Sequence, residues 1–286
     1  MRTEQEILDT IIKLANKDER IRAVYLFGSR ANPDIRQDIY QDYDISFTVT
    51  ETESFQSNKN WLNTLGDITF LVEGERNALI FFESKDMSVL SRRCVFNVFF
   101  DDSICMDLAI EIKEETEKNF SKYKPNKILI DKDNLLSQIN IIEEIYIGIK
   151  PNENMYQACC SNFWWFLLYP IKGIARNKIP FAMVSFNTFT RTLLNKMIEW
   201  YIGVQTNFSI SIGKRERDYE KYLSEDIHNL YVKTYIEKNY WDIVLTTCNL
   251  FNKLAMVVGK HFNFKYNQKE EDCITKYLHS IKAEKM

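Results

Sequence analysis

Residues 42 to 49, DYDISFTV, alternate without a break: Tyr43, Ile45, Phe47 and Val49 fall on one side of an extended chain, and Asp42, Asp44, Ser46 and Thr48 on the other. A period of two is the signature of a strand, because successive side chains leave opposite faces of the pleat. The apolar side must be covered, and a side bearing two carboxylates cannot be buried without partners. The stretch predicts a strand with one packed face and one working face, which excludes an all-helical chain.

Other segments extend the pattern. IRAVYLF (21 to 27) is apolar and β-branched enough for a buried strand, stopped by Gly28. In CMDLAIEI (105 to 112), Met106, Leu108, Ile110 and Ile112 face one way, while Asp107 shares the other side with Ala109 and Glu111. KILID (127 to 131) reads as a last strand. Ahead of them all, Thr3 and Glu6 form a capping-box signature, and Ile7, Leu8, Ile11, Ile12 and Ala15 then share one helical stripe.

Beyond about residue 134 the period changes. LLSQINIIEEIYIGI, MYQACCSNFWWFLLYPIKGIAR and FNTFTRTLLNKMIEWYIG read as helices. The expected fold class is α/β (α+β), with a mixed sheet and helices over residues 1–133 and a helical domain over 134–286. A length of 286 residues suits two domains, and 45% hydrophobic residues suffice for substantial cores.

Composition removes several partners. Thirty-seven Lys and Arg against 40 Asp and Glu give a net charge of −3, so no basic field is available to hold a nucleic acid. The six cysteines form no CxxC pair and the three histidines are far apart, which points to reduced thiols and away from zinc. No run approaches the ~18 to 20 apolar residues of a membrane span, and the N-terminus is not of signal-peptide type. The expectation is a cytoplasmic monomer or homodimer with no nucleic-acid or membrane partner.

Two residues apart on a strand, Asp42 and Asp44 leave the same face and can share a hard divalent cation such as Mg2+, which takes carboxylate and phosphate oxygens. Gly28 and Ser29, just after a buried strand, can bring backbone amides and a hydroxyl to phosphate oxygens. Singly, a Gly-Ser turn or an Asp-x-Asp is commonplace. Followed by the lone Asp107 on a third strand, they resemble the nucleotidyltransferase fold of the DNA polymerase beta superfamily, whose corresponding parts surround a nucleoside triphosphate and magnesium.

A closer similarity covers most of the chain. ERIRAVYLFGSRAN, QDYDISFTV, FDDSICMDLAI, ILIDKD, YPIKGIARNKIPFA, SIGKRERDYEKYLSED and CITKY resemble, in the same order, the bacterial aminoglycoside 6-adenylyltransferases, the streptomycin-modifying group. That resemblance implies transfer of AMP from ATP, the co-substrate, to a hydroxyl of an aminoglycoside such as streptomycin, with Mg2+ as cofactor. It makes Asp42, Asp44 and Asp107 the metal and catalytic carboxylates. Either Asp107 or another carboxylate such as Glu111 takes the hydroxyl proton.

Arg30 directly follows the turn and suits a triphosphate; it equally suits a structural pairing. Lys172 and Arg176 in IKGIAR, and Lys214 in SIGKRERD, match basic positions of the family and imply phosphate contacts, although each alone reads as a solvated surface charge. Cys159, Cys160, Trp164 and Trp165 read as core.

The resemblance departs where acidic residues are expected for a polycationic acceptor: those positions hold Gln157, Ala158 and Val184. Asp101, Asp102, Glu111 and Glu199 are other sources of acidity. Two further readings stay open: the same chemistry on another hydroxylated small molecule or a protein, and a nucleotide-binding regulatory module without turnover. A pure binder has no need of a third carboxylate, which argues against the module.

Overall fold

The computed structural model describes residues 2–33, 35–83, 86–122, 125–139, 149–210 and 218–285. Lys214 and most of the helix expected from LLSQINIIEEIYIGI lie outside them.

At the N-terminus the capping box closes in both directions: Glu6 N–H donates to Thr3 Oγ1 (3.3 Å) and Thr3 N–H to Glu6 Oε2 (2.8 Å). Helix α1 (Glu4–Lys17) follows, burying Ile7, Leu8, Ile11 and Ala15. The next elements are β1 (Ile21–Phe27), β2 (Tyr43–Val49), α2 (Glu53–Ser57), β3 (Ile68–Glu73), α3 (Gly74–Phe81), β4 (Arg93–Phe100), β5 (Cys105–Ile112), α4 (Lys113–Lys122) and β6 (Asn126–Asp131). Periodicity does not announce β3 and β4. They enter the sheet because Phe96, Val98 and Phe100 of β4 cover the same core as β5.

The sheet order is β3-β4-β5-β2-β1-β6. Among the described strands only β2 and β5 run parallel, in the register Tyr43 to Met106, Asp44 to Asp107 and Thr48 to Glu111. The odd-numbered face of β2 (Tyr43, Ile45, Phe47, Val49) packs with Met106, Leu108, Ile110 and the stripe of α1. Burying one such aliphatic side chain stabilises by about 1.5–3 kcal/mol.

The chain divides into two compact units, Met1–Glu144 and Ile145–Met286. The expected division at 133/134 falls within a segment tied to the first unit: Leu136 is buried against Ala23, Tyr25 and Phe120, and the Asp131 carboxylate accepts from the N–H groups of Leu135 (2.7 Å) and Leu136 (2.9 Å).

The second unit holds α5 (Glu153–Phe166), α6 (Leu168–Ala175), α7 (Ile179–Ser185), α8 (Arg191–Thr206), α9 (Glu225–Ile236), α10 (Tyr240–Phe262) and α11 (Gln268–Lys285). Its core centres on Phe163 stacked on Phe251, with Trp164 edge-on to both. Cys159 and Cys160 lie buried in it. Burial pushes the Cys160 thiol up to about 12, which keeps it protonated and inert at neutral pH. Among the described residues no helix is long and apolar enough to cross a membrane.

Candidate active site

Three neighbouring strands, β1, β2 and β5, carry the expected residues. Phe27, the last residue of β1, is registered with Asp44, which is registered in turn with Asp107. Register partners project from the same face, so Asp44 and Asp107 are neighbours on the face opposite α1. Gly28 follows Phe27 with φ +74° and ψ −150°, a backbone conformation essentially reserved for glycine. A Cβ there would meet Asp44 Oδ2 at 2.2 Å. Conformation and space thus both require glycine, and the requirement brings the turn's backbone up against the Asp44 carboxylate. Ser29 opens a short 3-10 turn, Ser29–Ala31, closed by Asn32 N–H donating to Ser29 O (3.2 Å).

Asp42 precedes β2, exposed, beside Cys105. The Cys105 thiol is pushed up by partial burial and then by the Asp42 and Asp107 carboxylates near it. Asp107, half-buried, accepts a 2.6 Å bond from Asn97 Nδ2 on β4. Sequence reasoning missed Asn97. The signal was an amide on the alternate face of RCVFNVFF, a run whose aromatics draw attention to the core side.

Among the described residues no three His, Cys, Asp or Glu side chains already stand together as a metal cluster. Magnesium fits the site by donor chemistry: Asp42, Asp44 and Asp107 are hard oxygen donors, and the bare α-carbon of Gly28 leaves Asp44 Oδ2 the room that any Cβ would take.

Other expected residues lie elsewhere. Arg30 is turned onto Tyr43, its guanidinium 4.0 Å over the ring and donating to Gln41 O through Nε (3.1 Å) and Nη2 (2.7 Å). With Asp42 and Cys105 it lines a cavity of about 350 Å³. Glu111, the alternative base, is fully buried and accepts from Arg93 Nε (2.8 Å) and Asn119 Nδ2 (2.9 Å).

Lys172 is exposed in the last turn of α6, in the second unit. Its neighbour Gly173 is buried, and a Cβ there would stand 2.8 Å from Ala182 Cβ, so the glycine of IKGIAR serves the close crossing of α6 and α7. Of the three departures, Gln157 donates to Lys265 O, while Ala158 and Val184 are exposed. Asp102 and Glu199 are engaged with Arg2 and Lys196.

The model of the streptomycin adenylyltransferase family matches residues 1–281. The chain is 34% identical to an aminoglycoside 6-adenylyltransferase of Bacillus subtilis (strain 168), covering 98% of each chain. It is 33% identical to one from Campylobacter jejuni, over 93% of this chain and 91% of the relative. A third, from Staphylococcus aureus, is 32% identical over 95% and 96%.

Proposed function

The chain belongs to the streptomycin adenylyltransferase family, and from that premise we propose that it transfers AMP from ATP to a hydroxyl of an aminoglycoside, with streptomycin the leading acceptor. The observation that carries this reading is the register of Phe27, Asp44 and Asp107, with the Gly28 turn pressed against Asp44.

The acceptor hydroxyl oxygen attacks the α-phosphorus of ATP; the bond to the bridging oxygen breaks and pyrophosphate leaves. Magnesium, held by Asp42, Asp44 and Asp107, would neutralise phosphate charge on the attacking and leaving sides. Gly28 and Ser29 bring backbone amides and the Ser29 hydroxyl toward the phosphates. Asp107 takes the hydroxyl proton. Its rival Glu111 is buried and committed to Arg93 and Asn119, which favours Asp107. Arg30 spends Nε and Nη2 on Gln41 O and holds Nη1 3.7 Å from Glu4 Oε2, so its phosphate role rests on its place directly after the turn. The phosphate roles of Lys172 and Lys214 rest on the family resemblance.

Gln157, Ala158 and Val184, where acidity is expected, favour a second reading in which the acceptor is a less cationic hydroxyl compound. One assay tests both: ATP, magnesium and a panel of aminoglycosides and other hydroxylated compounds, reading pyrophosphate and product mass. A product heavier by one adenylyl group on streptomycin supports the first reading. Adenylylation of a different compound alone supports the second, and no pyrophosphate with any acceptor overturns both.

A further inference from the structure

We propose that Asn97 is a positioning residue for the reaction: seated between the start of α3 and Asp107, it sets the direction in which the Asp107 carboxylate meets the acceptor hydroxyl. The role rests on the proton-accepting function of Asp107 proposed above.

A side-chain amide has one donor end and one acceptor end, and the two are placed differently here. Nδ2 donates to Asp107 Oδ1 at 2.6 Å. Oδ1 faces Gly74, the first residue of α3, so closely that a Cβ on Gly74 would lie 2.5 Å from it. The first N–H groups of a helix lack partners within the helix, so an acceptor belongs at this end of α3 and the donor is left for the carboxylate. Glycine at 74 makes the approach possible.

Helix α3 is itself fastened to the sheet. Glu75, next in sequence, pairs with Arg93, which also donates to the buried Glu111 at 2.8 Å. A continuous set of contacts therefore runs from Glu111 through Arg93, Glu75 and Gly74 to Asn97 and ends on Asp107. An amide does not titrate, so it orients the carboxylate without competing for the proton. Holding one oxygen fixes the plane of the group, and with it the direction of the second oxygen. Small misplacements of a proton acceptor cost turnover more than they cost ground-state binding.

The test uses Asn97→Leu, which keeps the branching at Cγ and removes the donor and the acceptor, Gly74→Ala, which drives a methyl into Oδ1, and the double variant. Turnover is measured by pyrophosphate release, ATP-magnesium affinity by calorimetry, and folding by melting. Asn97→Leu should lower kcat by about tenfold or more, the scale of one hydrogen bond to a charged group. ATP affinity should stay within about twofold. Gly74→Ala should lower kcat in the same direction, and the double variant should fall no further than Asn97→Leu, because both changes act through one amide. In crystals of Asn97→Leu the Asp107 carboxylate should turn from its present orientation.

Near-parental kcat in folded Asn97→Leu, additive losses in the double variant, or ATP affinity falling in step with turnover each overturn the inference. Should the parent release no pyrophosphate with any acceptor, the functional reading fails by itself. The Asp107 orientation in crystals of Asn97→Leu then decides, and an unchanged carboxylate overturns the positioning role. If Asn97→Leu does not fold, Gly74→Ala carries the same measurements.

Discussion

The two faces of β2 and β5 are built from alternate residues of the same strands, yet they answer to different demands. On one face Ile45, Phe47, Met106 and Leu108 are sealed under α1, none more than 1% exposed. On the other, Asp44 and Asp107 remain half-open at the strands' N-terminal ends, while Thr48 and Glu111 disappear at the C-terminal ends. There Thr48 Oγ1 meets Thr116 Oγ1 of α4 at 3.0 Å, and Asn119 of α4 reaches Glu111. One alternating pattern thus yields a dry core, a reactive edge and a buried polar network. The difference between the last two is the cover that α4 provides.

The sharpest separation is expected at the reactive edge. Asp107→Asn keeps shape and removes the proton acceptor, so turnover should fall by about 10²- to 10⁴-fold with ATP binding near normal. Asp44→Asn should instead weaken magnesium-dependent ATP binding. Calorimetry and product mass on the same preparations distinguish the two, and parental turnover in Asp107→Asn would remove it from the chemistry.

The sealed face should behave the opposite way. Ile45 is fully buried, and Ile45→Ala opens a cavity that costs about 2–5 kcal/mol of stability. Turnover per folded molecule should change little, because Ile45 points away from Asp44. Denaturant melts and active-site-normalised rates read the two quantities separately. A large loss in the normalised rate would show that the faces are not independent.

How far the sequence anticipated these faces follows from what alternation encodes. The shared face of Asp44 and Asp107 and the turn at Gly28 were readable because period two specifies a side, and the stop after a buried strand specifies a turn. Helix α1 was readable because its cap and stripe are local. Alternation specifies neither which strands become neighbours nor what covers a polar face, so Glu111 looked equivalent to Asp107 until α4 and Arg93 were placed over it. Asn97 was missed for the same reason: its meaning comes from β4 lying beside β5, with Asn97 registered on Asp107. The turning of Arg30 onto Tyr43 depends on the return of the chain to Gln41, a contact no periodicity carries.

Glu111→Gln probes the covered half of the polar face. The charge and part of the bonding to Arg93 are lost in a buried place, and Oε2 already lacks a partner among the described residues. A loss of about 1–3 kcal/mol is expected, with turnover per folded molecule largely kept. A catalytic collapse without destabilisation would restore Glu111 as a candidate base.

The smallest effect is expected at the rim of the sealed face, where Arg2 fastens the chain ahead of α1. Its Nε pairs with Asp102 at 2.9 Å, and its guanidinium lies 5.0 Å from the centre of the Phe100 ring. Gly66, at φ +145°, leaves room for it, since a Cβ there would stand 2.9 Å from the guanidinium nitrogens. The bond from Arg2 holds the Asp102 carboxyl below the ordinary aspartate range, against the opposing effect of partial burial. A carboxyl depressed in the folded state contributes stability that is present above its unfolded pKa, about 3.9, and is lost as pH falls through the folded value. Asp102→Asn should therefore lower Tm at neutral pH, by about 1 kcal/mol or less for a pair this accessible, or roughly 2–4 °C. The gap between parent and variant should close only as melts are carried below the ordinary aspartate range and through the lowered pKa of the folded carboxyl, where the parent carboxylate is itself protonated. A gap that persists at low pH would mean that packing of Arg2 on Phe100 outweighs its charge in securing α1 over the sealed face.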